Sequence, residues 1–248
     1  MPTFKLTLAY DGTDFCGWQA QPGPRTVQGE LEAAWKEITG ELVRVTAASR
    51  TDSGVHALGQ VVGIDSETAL RPDELLGGIN AKLPADVLLR NIEPAVDDFH
   101  ATHDSTGKRY RYRIHNDRLR PLFDRGRVWH VPQPLDTDAM HTAGQAIVGT
   151  HDFAAFQAVG SPRESTVRTI HSLAVSRGEG DEAAQVTIEV RGDGFLYNMV
   201  RIIAGSLVDV GAGRRDARFL AEALASCDRT QAGMTAPAQG LVLVEVEY

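Results

Sequence analysis

Residues 3–10, TFKLTLAY, alternate polar and apolar side chains, the two-residue period of a strand with one buried face. A loop rich in glycine and proline follows, DGTDFCGWQAQPGPR. Thr26 then stands where a helix cap belongs. Val27, Leu31, Ala34, Trp35 and Ile38 repeat at helical spacing, and Gly40 lies just past the end. LVRVTAAS and QVVGID read as strands on either side of RTDSGVHALG, Pro72 opens a second helix through DELLGGINAKL, and DVLLRNIEP returns as a strand. The rest of the chain repeats this plan. KRYRYRIH, RVWHV, TIHSLAVSR, QVTIEVRGD and GLVLVEVEY read as strands. LDTDAMHTAGQAIVG (capped by Asp136 or Thr137), FLYNMVRIIAGSLVDVG and DARFLAEALAS read as helices, and residues 178–182 form a polar hairpin tip.

Strands of mixed order, with helices to cover one face of each sheet, predict an α+β protein with mostly antiparallel sheets rather than a doubly wound parallel one. The polar stretch His103–Gly107 marks a join, giving an N-terminal half at 1–104 and a C-terminal half at 105–248. The length of 248 residues allows either one large domain or two smaller ones.

Composition adds exclusions. No apolar run approaches the ~20 residues of a membrane span. The N-terminal segment lacks a basic head and a cleavage site. The two cysteines, Cys16 and Cys227, have no partner motif, so no disulfide framework or cysteine-based zinc site is expected and a reducing cytoplasm is the default. The net charge of −8 speaks against a nucleic-acid partner until its distribution is considered. Residues 1–100 carry a net −7, whereas 105–130 carry a net +6. Tyr110 and Tyr112 interleave with the arginines of that basic stretch. This mixture suits a surface that tracks phosphates and stacks a base, and equally a solvated charged strand.

The densest chemistry lies in Ser49-Arg50-Thr51-Asp52-Ser53-Gly54-Val55-His56. A carboxylate beside a guanidinium stays ionised and can act as a nucleophile or a base. The same residues also suit an Asp–Ser–Gly turn in which Asp52 bonds its own backbone, and His56 reads as a structural histidine. His100 and His103 are the only histidines close in sequence, with no ligand motif around them. Phosphate-binding glycine motifs and a serine-hydrolase elbow are absent.

The blocks YDGTDFCGWQAQP, RTVQGELE, ASRTDSGVHALGQVV, DDFHATHDSTGKRYRYRI, HDFAAF, VRTI, GFLYNMVRIIAGSLVDVG and TAPAQGLVLVEVEY, in this order, resemble the TruA-type tRNA pseudouridine synthases. RTDSGVHA is the specific block. Its Ser53 departs from the alanine common in the family. The resemblance implies isomerisation of uridine at positions 38, 39 and 40 of the tRNA anticodon stem-loop, by a homodimer without metal or organic cofactor. It also implies two RRM-like (ferredoxin-like) halves whose sheets meet around an active-site cleft. It assigns catalysis to Asp52, contact with the base to Tyr110, a cation near the carboxylate to Arg201, and a place in the uracil pocket to Leu241, with Arg50 in the catalytic block. Lys108, Arg109, Arg111, Arg168 and Arg214 are the expected phosphate contacts. Two other classes compete: a non-catalytic RNA-binding module, which has no need of RTDSGVH, and a carboxylate hydrolase, which needs a second acid that the sequence does not point to.

Overall fold

Residues 2–96, 98–160 and 165–248 are described by a computed structural model of the chain. Asp97, in the DDFHATHD block, falls outside them. The chain divides into two units, Met1–Thr106 with Val242–Tyr248, and Gly107–Leu241, both of mixed α/β build.

In the first unit, β1 (Thr3–Tyr10) lies between β3 (His56–Asp65) and β4 (Val87–Pro94), antiparallel to both. The short β2 (Thr46–Ala47) and the parallel β10 (Leu241–Glu247) also pair with β3. Alternation works as the pattern requires: Phe4, Leu6, Leu8 and Tyr10 are buried, with half-exposed neighbours between them. Helix α1 (Val27–Thr39) starts where Thr26 accepts the Gly29 N–H and stops at Gly40, whose φ of +79° only glycine adopts freely. Its apolar stripe is buried, with Trp35 tilted against Phe4 at 6.0 Å between ring centroids. Helix α2 (Pro72–Lys82) has proline in its first turn, and Gly78 lets Ile38 of α1 approach.

The segment LVRVTAAS, read as a full strand, keeps only the two residues of β2. Side chains of α1 take over the missing ladder at Val45: Glu32 accepts its N–H at 3.1 Å and Gln28 donates to its carbonyl at 3.4 Å. Conversely, β3 begins at His56, within RTDSGVHALG and four residues before the QVVGID read as a strand.

The second unit has an antiparallel sheet in the order β5-β9-β8-β7: β5 (Gly107–His115), β9 (Gln185–Gly192), β8 (Val167–Arg177) and β7 (Gly149–Asp152). The pair β6 (Trp129–His130) is all that remains of RVWHV, and it joins β5 in parallel. Asp136 caps α3 (Thr137–Gln145) by accepting two backbone N–H groups. Helix α4 (Met199–Gly211) is buried on nearly all sides, and α5 (Phe219–Ser226) follows it. Helix α4 starts four residues later than its apolar run suggests because Asn198 sits in the left-handed region at φ +60°, which a helix interior cannot contain.

Tyr112 of β5 is fully buried, donates its hydroxyl to the Pro237 carbonyl at 2.7 Å, and meets Trp129 edge to face at 6.2 Å. Burial holds the phenol proton well above its usual value of about 10, with the nearby Arg201 working in the opposite direction. The folded-state pKa is raised, so the contribution is complete below the unfolded value. It is lost as pH climbs above about 10, where only the unfolded chain ionises. Wild-type stability should therefore fall more steeply than that of Tyr112→Phe in alkaline urea titrations. Parallel pH dependences would contradict the buried phenol.

Candidate active site

The Asp52 segment is shaped by hydrogen bonds from three other stretches of the first unit: the end of β1, the loop 11–18 and β3. Tyr10 at the end of β1 shares a 2.8 Å hydroxyl bond with buried Thr51, and the Thr51 carbonyl accepts the Trp18 N–H at 3.0 Å. The Val55 N–H closes a tight turn on the main-chain carbonyl of Asp52 at 3.1 Å, and Gly54 takes the positive φ of +78° that this turn needs. The Phe15 carbonyl accepts both the Ser53 hydroxyl, at 3.1 Å, and the Gly54 N–H, at 3.4 Å. Fully buried Gln60 donates to the Ser49 carbonyl at 2.6 Å. The Val55 N–H thus closes the turn on the main-chain carbonyl of Asp52, and the residue itself is half-buried.

The loop 11–18 lies directly on this turn. A Cβ on Gly12 would stand 2.1 Å from the Val55 carbonyl oxygen, and one on Gly17 would stand 2.8 Å from that of Thr51. These glycines were visible in YDGTDFCGWQ, but the sequence alone offers no sign of what they pack against. His56, nearly buried, has Nδ1 3.1 Å from the Gly12 N–H and 3.1 Å from an Asp11 carboxylate oxygen. An acceptor nitrogen suits the amide and a protonated one suits the carboxylate. We assign Nδ1 as the acceptor, because Asp11 already accepts both the N–H and the hydroxyl of Thr13 on that oxygen. Arg50 is exposed on the same loop as Asp52.

The other assigned residues belong to the second unit. Tyr110, buried on β5, meets Phe195 edge to face at 5.2 Å. Arg201 of α4 donates to the Ala236 carbonyl at 2.8 Å and to the Asn198 side chain at 2.7 Å, while its own carbonyl accepts the Ala236 N–H. The guanidinium therefore fastens α4 to the segment that leads through Pro237 and Gly240 to buried Leu241.

The interleaving of tyrosine and arginine in KRYRYRI does not make one mixed surface. Alternation turns Tyr110, Tyr112 and Ile114 to the buried face and Arg109, Arg111 and Arg113 to the other. Arg111 binds Glu189 on the neighbouring strand at 2.7 Å, Arg109 reaches the same carboxylate at 3.6 Å, and Lys108 sits half-exposed at the start of the strand. Arg214 holds Asp209 at 2.8 Å, and Arg168 donates to the Val167 and Ser165 carbonyls. Exposed pairs of this kind hold by only about 0–1 kcal/mol, so a phosphate can compete for these cations.

His100 and His103 stack ring on ring at 3.9 Å, with the His100 Nδ1 accepting the N–H groups of Thr102 and His103. Among the described residues no three His, Cys, Asp or Glu side chains cluster so as to hold a metal ion, and no helix is long and apolar enough to cross a membrane.

A family model described as tRNA pseudouridine synthase matches residues 7–104 and 143–248. The chain belongs to this family. It is similar over its full length to tRNA pseudouridine synthase A of Brevibacillus brevis, with 46% identity across 248 residues and all of both chains covered. The synthase A of Rhodopseudomonas palustris is also 46% identical over 249 residues, with both chains covered in full. That of Halalkalibacterium halodurans is 46% identical over 243 residues, covering 98% of this chain and 91% of its own. This pseudouridine synthase is thus an isomerase, and the matched stretches include Asp52, Arg50, Arg168, Arg201, Arg214 and Leu241. The segment 105–142, with Lys108, Arg109, Tyr110 and Arg111, lies between the two stretches and is spanned by the full-length relatives.

Proposed function

We propose that this synthase converts uridine to pseudouridine at positions 38, 39 and 40 in the anticodon stem-loop of tRNA, as a cytoplasmic homodimer, with Asp52 as its catalytic group. The observation that supports the assignment is the Asp52 turn: the Phe15 carbonyl, the Trp18 N–H and buried Thr51 and Gln60 fix its course and hold Asp52 half-buried at a set place on the first unit.

The reaction is an isomerisation. The C1′–N1 bond breaks, the uracil turns, C5 joins C1′, and the C5 proton is released as N1 regains one. Atoms and electrons balance within the nucleoside. The requirements are an ionised carboxylate, a site that retains the detached base, and a group that takes the C5 proton. Asp52 engages the nucleoside, by attack at C1′, by addition to the ring, or by removal of the 2′ proton. Arg201 or Arg50 keeps the carboxylate charged and oriented through a charge-assisted bond. Tyr110 stacks on the base, worth about 1–3 kcal/mol for an aromatic platform, and its hydroxyl assists the proton transfer. Leu241 keeps water from the reacting sugar.

The uridine must leave its stack, at a cost of a few kcal/mol that is lowest near a stem–loop junction. Lys108, Arg109, Arg111, Arg168 and Arg214 hold the phosphates. Two RRM-like halves are the architecture we propose for this task. The strand–helix–strand–strand–helix–strand run of the first unit, paired in the order β4-β1-β3-β2, supports that reading.

The test is tritium release from tRNA carrying tritium at uracil C5. With wild-type protein, label should leave tRNAs bearing uridine at those three positions. Transcripts with cytidine there should release none. Equal release from both would overturn the substrate assignment.

A further inference from the structure

We propose that Arg25 is a positioning residue for the Asp52 turn, acting through Phe15. The inference rests on the reading of Asp52 as the reacting carboxylate. Arg25 closes the loop that lies on the turn, just before the Thr26 cap of α1. Its guanidinium grips Asp86 with two bonds of 2.7 and 2.9 Å, and its Nε donates to Glu30 in the first turn of α1 at 2.7 Å. The flat face of the same group covers the Phe15 ring, with Cζ 4.1 Å from the centroid. Phe15 is 2% exposed, and its carbonyl is the acceptor shared by Ser53 and Gly54, the two residues after Asp52. The Arg25 carbonyl further accepts the Cys16 N–H at 2.9 Å, and the Asp86 carbonyl accepts the Asp11 N–H at 2.9 Å, so both ends of the loop are tied to the same clamp.

The chemistry calls for arginine. Only a planar fork can bind one carboxylate with two parallel bonds, reach a second carboxylate and still lie flat on a ring. Two carboxylates around one guanidinium also make Arg25 a poor phosphate contact, since its charge is already matched. The hydrogen bond to Asp86 raises the arginine further above its usual range, against the opposing effect of burial, so the clamp stays charged at any working pH.

The experiment uses the full chain and compares wild type, Arg25→Lys, Arg25→Gln, Asp86→Asn and Asp52→Asn. It measures single-turnover tritium release at saturating enzyme, tRNA affinity by filter binding, and thermal melting. Arg25→Gln should lower the saturating rate about 10- to 100-fold, the effect of a displaced reacting group. Affinity should remain near the wild-type value, giving a loss in kcat without a matching change in KM. Arg25→Lys and Asp86→Asn should fall in between, because each keeps part of the clamp.

A wild-type rate in folded Arg25→Gln would overturn the inference. So would weaker binding with an unchanged saturating rate, which would make Arg25 an RNA contact. Failure of all three clamp variants to fold would overturn it as well, leaving Arg25 a general structural residue. Asp52→Asn separates the two levels. If that variant keeps its activity, the underlying reading of Asp52 fails. If it is inactive while the Arg25 variants run at full rate, only the positioning role fails.

Discussion

Asp52→Asn should fold, bind tRNA with wild-type affinity, and release no tritium above background. The amide has nearly the volume and shape of the carboxylate, and the turn is closed by the Asp52 main-chain carbonyl and by bonds to Phe15 and Trp18, none of which the substitution alters. Asparagine lacks the negative charge that either nucleophilic attack or proton removal requires. The loss should therefore lie in the chemical step, at about 10³-fold or more if the carboxylate forms a covalent bond and at least about 10²-fold if it acts as a base. Retained turnover would remove Asp52 from the mechanism, and lost binding would assign it to recognition instead.

Gly12→Ala should be the most damaging single-methyl change in the first unit. The added Cβ would fall 2.1 Å from the Val55 carbonyl oxygen, and the obstacle is backbone rather than a side chain that can swing away. Either the loop 11–18 lifts or the Asp52 turn shifts. Overpacking of this kind costs about 1–3 kcal/mol, and a main-chain obstacle belongs at the upper end. The urea midpoint should fall with an unchanged slope, and the remaining folded protein should lose most of its turnover. Gly77→Ala in α2 is the matched control. A Cβ there meets nothing within 4 Å, and alanine in a helix should stabilise by about 0.5–1 kcal/mol. A Gly12→Ala protein indistinguishable from wild type in midpoint and rate would refute the close approach.

The sequence made the regular elements readable where one strong period ran between unmistakable stops. Helix α1 is bounded by Thr26 and Gly40, α3 is capped at Asp136, and β1, β5 and β9 follow their alternation. The pattern misled where a distant side chain took over a local bond or where one residue left the helical backbone region. Glu32 and Gln28 satisfy Val45, so β2 is shortened, and a left-handed Asn198 delays α4 beyond what its apolar run indicates. At the candidate site, RTDSGVHA is the block that singles out Asp52, but Phe15 and Gly12, which touch its turn, and Arg25, which covers the Phe15 ring, stand 27 or more positions away in sequence. No periodicity carries that information. Their roles come from a carbonyl's direction, a contact distance and a fork of donors, which exist only in three dimensions.

The strand β5 has a consequence for how this protein can vary. Its outward residues Arg109, Arg111 and Arg113 and its inward residues Tyr110, Tyr112 and Ile114 answer to separate constraints. Mutational drift among the former can retune ionic-strength tolerance while the hydrophobic interior stays untouched. Inward changes at Tyr112 must instead respect a fixed volume, because Gly240 leaves no slack beneath that ring. Directed evolution of altered salt tolerance should therefore begin at the three guanidinium sites.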